Sequence, residues 1–111
     1  MHILCIFLYD NRFLEDFLEV FVEEEIEEVF VTEAEELKEL LAFRVPVFKE
    51  LQVTLGRRKK ECKLILAIVE SERKIEKMVR SWKEDLQLEK EEVATIFSFP
   101  AKVWHISPHI Y

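Results

Sequence analysis

Two stretches of the chain are apolar at every position, and they constrain the fold more than any other feature. They run from Ile3 to Leu8 and from Leu64 to Val69. A strand with helices on one face and water on the other alternates apolar and polar residues, and these two stretches do not alternate. Both faces of the strands they form must therefore be covered. We expect helices to cover one face and another subunit to cover the other.

The spacing of apolar residues predicts an alternation of strands and helices along the chain. Strand character is found at residues 2–9, 28–32, 62–69 and 93–99. Apolar residues three and four apart predict helices that begin at Phe13 and after Ser71, and a shorter helix from Leu37 to about Phe43. Thr32 and Glu35 have the spacing of a capping box at the start of the shorter helix.

This order is β-α-β, a long connection, and then β-α-β again. It is typical of the split βαβ, or ferredoxin-like, arrangement, an α+β fold with an antiparallel sheet. The first and third strands are central in that sheet, which agrees with their continuous apolar character. We expect a single domain over residues 1–111, with residues 33–61 as the long connection.

The composition restricts the partners and the location of the protein. A net charge of −7 argues against general nucleic-acid binding, which needs a basic surface. The longest apolar run is too short to span a bilayer and lacks the flanks of a signal peptide, so we expect a cytoplasmic protein without membrane insertion. Glu and Lys are abundant and only three residues are Asn or Gln, a tendency of thermophile proteins.

Motifs for catalysis and for cofactors are missing from the sequence. It contains no P-loop, no G-x-S-x-G, no H-E-x-x-H and no G-x-G-x-x-G pattern. Cys5 and Cys62 have no C-x-x-C spacing and lie in apolar stretches, which predicts two buried thiols in a reducing compartment. We therefore predict a non-catalytic protein without a cofactor.

The stretch TIFSFPAKVWHI, Thr95 to Ile106, carries a resemblance to a known family. It resembles the end of the nitrogen-regulatory PII-like proteins, in which an I-F strand runs into a P-V corner and then a V-x-R-I segment. The connection at residues 33–61 lies where that family has its mobile T-loop. The resemblance implies a homotrimer of ferredoxin-like subunits with a regulatory or signalling role, and a ligand site in the clefts between subunits.

The sequence departs from this family at the nucleotide site. The family has a glycine-rich loop before the fourth strand, whereas QLEKEEVAT, Gln87 to Thr95, has no glycine and three glutamates that repel phosphate. Thr95, His105 and Ser107 stand where the family has a lysine and two arginines. We therefore expect ordinary ATP or ADP binding to be weak or absent.

Two groups of residues are candidates for binding a ligand or partner: Arg57, Arg58, Lys59, Lys60, and Lys102, Trp104, His105. The basic run follows a glycine and could hold an anionic group, form a solvated loop tip, or pair across subunits with the acidic tract at residues 15–36, which has eleven acidic residues and no basic one. Trp104 lies past the last strand and is interpreted as an interface or pocket residue. A protein partner could bind through residues 44–60.

An alternative interpretation is a metal-binding protein. His105 and His109 are four apart, although Pro108 disfavours a regular helix there. The chain would then resemble the divalent-cation tolerance family, which shares the trimeric architecture, and His2, His105 and His109 would be the candidate ligands. A small enzyme is the third interpretation.

Overall fold

A computed structural model describes residues 1–49, 61–85 and 92–107 of the chain. Its strands are β1 (His2–Leu8), β2 (Val29–Ala34), β3 (Cys62–Val69) and β4 (Ala94–Pro100). Its α-helices are α1 (Leu14–Glu23), α2 (Leu37–Arg44) and α3 (Glu72–Asp85), and single 3-10 turns lie at Asn11–Phe13 and Pro46–Phe48. Within the described ranges, no helix has the length and apolar character that crossing a membrane requires.

The four strands form one sheet in the order β2-β3-β1-β4, and every neighbouring pair is antiparallel. The two continuously apolar strands, β1 and β3, are the central ones. The mixed strands, β2 and β4, lie at the edges. This is the ferredoxin-like α+β fold, and the prediction of its strand order is confirmed.

The register of β1 and β3 decides which side chains the helices cover. Leu4 lies opposite Ala67 and Ile6 lies opposite Ile65, so these four residues share one face of the sheet. All four are fully buried, in a cluster with residues of α1 and α3. The helices therefore lie on this face, which contains the hydrophobic core.

An aromatic group joins the two long helices above the sheet. Trp82 of α3 is fully buried, and its ring stacks on Phe17 of α1 with 4.9 Å between centroids. A second ring, Phe21, lies tilted against Trp82 at 5.4 Å. Such aromatic pairs add about 0.5–1.5 kcal/mol beyond the area they bury, so they fix the position of α1 relative to α3.

The predicted helix starts had different outcomes. Ser71 caps α3 as expected, since the backbone N–H of Lys74 donates to Ser71 Oγ at 3.3 Å. The capping box at Thr32 is wrong, because Thr32 lies inside β2 opposite Leu64 and α2 begins after Glu36 without a side-chain cap. Pairing with β3 satisfies the backbone groups of this edge strand that face β3, and it outcompetes a local cap.

Pro100 is the last residue of β4, and the hydrogen-bond pattern explains why a strand tolerates it. The N–H of Tyr9 donates to the carbonyl of Val93 at 2.8 Å, and the N–H of Ala101 donates to the carbonyl of Met1 at 3.0 Å. The odd-numbered residues of β4 therefore direct their peptide groups to β1, and the even-numbered ones direct theirs away from it. A proline at position 100 removes no bond from the ladder.

The C-terminal end of α1 has a backbone conformation that glutamate does not favour. Glu25 has φ of 57°, in the left-handed region that glycine adopts most easily. The N–H of Glu25 donates to the carbonyl of Val22, and the N–H of Ile26 donates to that of Phe21 at 2.9 Å. These two bonds make a Schellman motif with a non-glycine residue at its left-handed position.

We predict that Glu25→Gly stabilises the protein by about 1 kcal/mol, because it relieves the left-handed strain and removes a negative charge from a helix C-terminus. Urea unfolding measures this. Glu25→Ala is the matched control, since it removes the charge but retains the strain and should give the smaller gain. Equal gains from the two variants would show that the backbone strain contributes nothing.

Candidate functional site

The face of the sheet opposite α1 and α3 is apolar across all four strands. In register, Cys5 lies between Leu66 of β3 and Phe97 of β4, and Leu66 in turn lies opposite Phe30 of β2. We call this surface the open face, and its apolar members are Ile3, Cys5, Phe7, Phe30, Leu64, Leu66, Ile68, Phe97 and Phe99. None of them belongs to the buried cluster beneath the helices.

Three of the four phenylalanines of the open face are exposed to solvent. Phe30 is 62% exposed, Phe97 is 44% exposed and Phe99 is 45% exposed. With about 200 Å² for a phenylalanine side chain, and the half-buried neighbours added, roughly 500 Å² of apolar surface is accessible. This is at the upper end of what a monomer exposes as one patch, and patches of this size mark interaction sites.

The centre of the open face is already well packed within one chain. Phe7 and Phe97 stack across β1 and β4 with 5.9 Å between ring centroids. Cys5, between these aromatic and aliphatic neighbours, is only 6% exposed. The side chains at the centre of the open face are therefore already held in place within one chain, which lowers the cost of ordering them in an interface.

The segment after β4 crosses one end of the sheet. The bond from Ala101 to Met1 holds its start beside β1, and His105 Nε2 lies 2.9 Å from Oε1 of Glu28, the residue before β2. The chain thus passes from the β4 edge to the β2 side within a few residues. Along this path Trp104 is 76% exposed and Ile106 is 91% exposed.

The candidate ligand residues are therefore only partly brought together. Lys102, Trp104 and His105 lie on this segment, where Trp104 is largely exposed and His105 contacts Glu28. The basic run at residues 57–60 lies outside the described residues, as does most of the 44–60 segment proposed to bind a partner. Parts of the acidic tract pair within the chain instead, since Glu24 bonds to Lys77 and Glu33 to Lys63, each at 3.0 Å.

The alternative metal interpretation gains no support from the described part of the chain. No group of three or more His, Cys, Asp or Glu side chains lies close enough there to hold a metal ion. His105 contacts the Glu28 carboxylate, whereas His2 is paired in β1 opposite Val69 and Pro100. His109 lies outside the described residues, so its contribution stays a prediction.

A groove that sequence reasoning missed lies between α3 and the edge strand β4. Its volume is about 910 Å³, and its apolar lining includes Ile75, Val79, Trp82, Val93 and Ile96. We call it the edge groove. The helical spacing of Ile75 and Val79 assigned both to the core. Ile75 is buried there, but Val79 is only partly buried, and nothing in the sequence shows this difference. The predicted strand order placed β4 at an edge of the sheet, without a partner on its outer side. This was the one sequence-based indication that a groove could lie there.

Comparison with protein-family models gives no match for this chain, and a search of curated proteins gives none either. The PII-like resemblance is therefore carried forward as a proposal, supported by the fold and by the open face.

The two thiols are buried as the sequence predicts, Cys5 to 6% exposure and Cys62 to 8%. Burial raises the pKa of both thiols above the ordinary value, and for Cys62 the charge of Glu36 raises the pKa further. A raised pKa favours the neutral thiol in the folded state. The contribution of each thiol to the free energy of unfolding is therefore fully present below about pH 8.5, the pKa of an unfolded thiol. It is lost as the pH rises through the pKa of the folded state.

We predict that Ellman's reagent reacts slowly with the native protein at pH 8 and releases both thiol equivalents quickly in denaturant, because the nucleophile is the exposed thiolate. Cys5→Ala and Cys62→Ala should each remove one equivalent from the denatured total. Fast labelling of the native wild type would contradict the burial of these groups.

Proposed function

We propose that this protein is a small non-catalytic regulatory or interaction module of the PII-like kind, which works as a homo-oligomer, most simply a trimer. The open face carries the proposal. A ferredoxin-like sheet with helices on one face alone leaves the other apolar face for a neighbour, and a second copy of the same chain offers a matching surface.

The free energy gained by burying the open face is comparable to the cost of association. Removing roughly 500 Å² of apolar surface from water yields about 12 kcal/mol per subunit at 25 cal/mol per Å². The loss of translational and rotational freedom costs about 4–15 kcal/mol. The two terms are of similar size, so additional contacts at the rim of the interface decide how tight the oligomer is.

The three described residues with shifted pKa values lie outside the edge groove. Perturbed pKa values cluster at catalytic sites, in clefts where titratable groups face one another. Here the shifted groups are the two buried thiols and Asp10, whose pKa is lowered by its side-chain hydrogen bond with Arg12 on the surface. None of these three forms an acid–base pair in the edge groove.

In the proposed oligomer, Lys102, Trp104 and His105 lie at the rim of the open face, where a cleft between subunits would form. The basic run at residues 57–60 belongs to the long connection between β2 and β3. A ligand or protein partner would contact these two segments together. Cytoplasmic location and thermophile origin are parts of the same proposal.

We predict opposite outcomes for lysine at two adjacent positions of β3. Leu66 lies on the open face, so Leu66→Lys should give a folded monomer. Ile65 is fully buried beneath the helices, so Ile65→Lys should destabilise the fold by at least about 3 kcal/mol. Light scattering measures the mass of each variant, and circular dichroism melting measures its stability.

The control for charge alone is Val22→Lys, because Val22 is 77% exposed on α1, away from the open face. It should preserve both the oligomer and the melting temperature. A wild-type protein that stays monomeric at micromolar concentration would overturn the proposed oligomer. A stable dimer would preserve the open face as the interface and rule out the trimer.

We predict that millimolar ATP or ADP leaves the melting temperature nearly unchanged. The reason is the segment at residues 87–95, which lacks glycine and carries three glutamates. A ligand at 100 times its dissociation constant stabilises a protein by about 2.7 kcal/mol. A thermal-shift increase of several degrees would therefore show that a nucleotide site exists in spite of these residues.

A further inference from the structure

The outer edge of β4 offers backbone groups where the next strand of a sheet would lie. The odd-numbered residues of β4 bond to β1, as the contacts at the two ends of the strand show. Ala94, Ile96 and Ser98 therefore direct their peptide N–H and carbonyl groups away from the sheet. Within residues 1–49, 61–85 and 92–107, no strand pairs with this edge.

The side chains beside this edge form the apolar part of the edge groove. Ile96 lies opposite Ile6, so its side chain is on the face of the sheet that the helices cover. Together with Ile75 and Val79 of α3 it lines a groove of about 910 Å³. A strand added to β4 would pair its backbone with the edge and place every second side chain against α3.

The helix that forms the other wall of the groove runs opposite to β4. Val69, the last residue of β3, lies opposite His2, and His2 in turn lies opposite Pro100, the last residue of β4. Since α3 begins at Glu72, just after β3, its first turn lies near the end of β4. Its last turn lies near the start of β4.

The charged side chains of the groove are therefore divided between its two ends. Glu72 and Glu76 line the end near Ser98, whereas Arg80, Lys83 and Glu92 line the end near Val93. No ion pair found within the described ranges includes any of these five side chains.

The end with the two glutamates has the stronger preference for one sign of charge. The positive N-terminus of α3 amounts to only about half an elementary charge and leaves this end negative. At the other end, Glu92 offsets one of the two basic side chains. An extended segment with a basic residue beside Glu72 and Glu76 thus complements the groove, and the rest of the segment needs no charge.

We propose that the edge groove binds an extended segment of a partner protein as an added strand antiparallel to β4. A basic residue lies opposite Ser98, beside the two glutamates, and apolar residues lie opposite Ile96 and Ala94, against α3. Antiparallel pairing is slightly more stable per residue than parallel pairing, which favours this direction. The site is separate from the open face and does not depend on the proposed self-association.

Amide hydrogen exchange measured by NMR on the full chain tests the proposal. The probe is a synthetic peptide, acetylated and amidated, of sequence Thr-Lys-Thr-Val-Thr-Val-Thr. With the peptide in excess, the outward amides of Ile96 and Ser98 should exchange at least about tenfold more slowly. The amides of Thr95 and Phe97, which face β1, serve as the internal reference because they are paired with or without the peptide.

A second peptide, with glutamate in place of the lysine, tests the charge of the partner. It should bind the wild type roughly three- to tenfold more weakly in an NMR titration, because two glutamates then repel it. For Glu76→Lys the difference between the two peptides should shrink or reverse. Equal affinity of the wild type for both peptides would overturn the basic partner.

Two variants test the place of binding. Val79→Arg puts a long charged side chain into the groove and should abolish the slow exchange, whereas Val22→Arg, at a position of α1 that is 77% exposed, should not affect it. Ser98→Pro removes one outward N–H without touching the ladder to β1, and it should weaken binding as well. It decides the question if circular dichroism shows that Val79→Arg is unfolded.

Slower exchange at the outward amides that both groove variants reduce supports the proposal. Unchanged exchange with excess peptide overturns it, and so does peptide binding that alters only the resonances of the open face. Outward amides that are already protected without peptide show that a second copy of the chain occupies the edge, which also overturns it. A monomer that binds the peptide would overturn the proposed oligomer alone.

Discussion

The antiparallel pairing of β1 with β3 is the contact on which the rest of the structure depends. It places Leu4 and Ile6 against Ala67 and Ile65 on one face and Ile3 and Cys5 against Ile68 and Leu66 on the other. A shift by one residue would exchange the two sets. Since both sets are apolar, burial beneath the helices cannot select the register by hydrophobicity alone. The two sets also differ in side-chain size, since the small Ala67 lies on the face that the helices cover.

Because β1 and β3 are apolar on both faces, the fold could be predicted from the sequence, whereas the candidate site could be predicted only in part. Two continuously apolar strands and two mixed strands, alternating with helices, are compatible with few topologies. The strand order predicted on this basis is the one observed. The capping box at Thr32 failed because local spacing carries no information about a ladder formed with Leu64, thirty-two residues later in the chain. Long-range pairing outweighs a cap worth about 1 kcal/mol.

The edge groove was invisible for a different reason. Val79 follows the helical period of the core stripe but is only partly buried, and the sequence cannot show where a helix extends beyond the sheet that it covers. Trp104 and Ile106, in contrast, were noticeable as apolar residues past the last strand. Exposure in the folded chain distinguishes them from core residues, and periodicity does not. The groove and the exposure of these two residues could be recognised only once the elements were placed in three dimensions.

Pro100 has a consequence beyond the ladder that it leaves intact. An edge strand with outward peptide groups is a template for further chains, and head-to-tail contacts that fail to close grow into filaments. The outward N–H donors of β4 end at Ser98, because Pro100, the next outward position, has no N–H and offers only its carbonyl. Any strand that adds to this edge is therefore short and has a defined end. At the end of β4, Pro100 therefore withholds a donor that an ordinary strand residue would offer to an added chain.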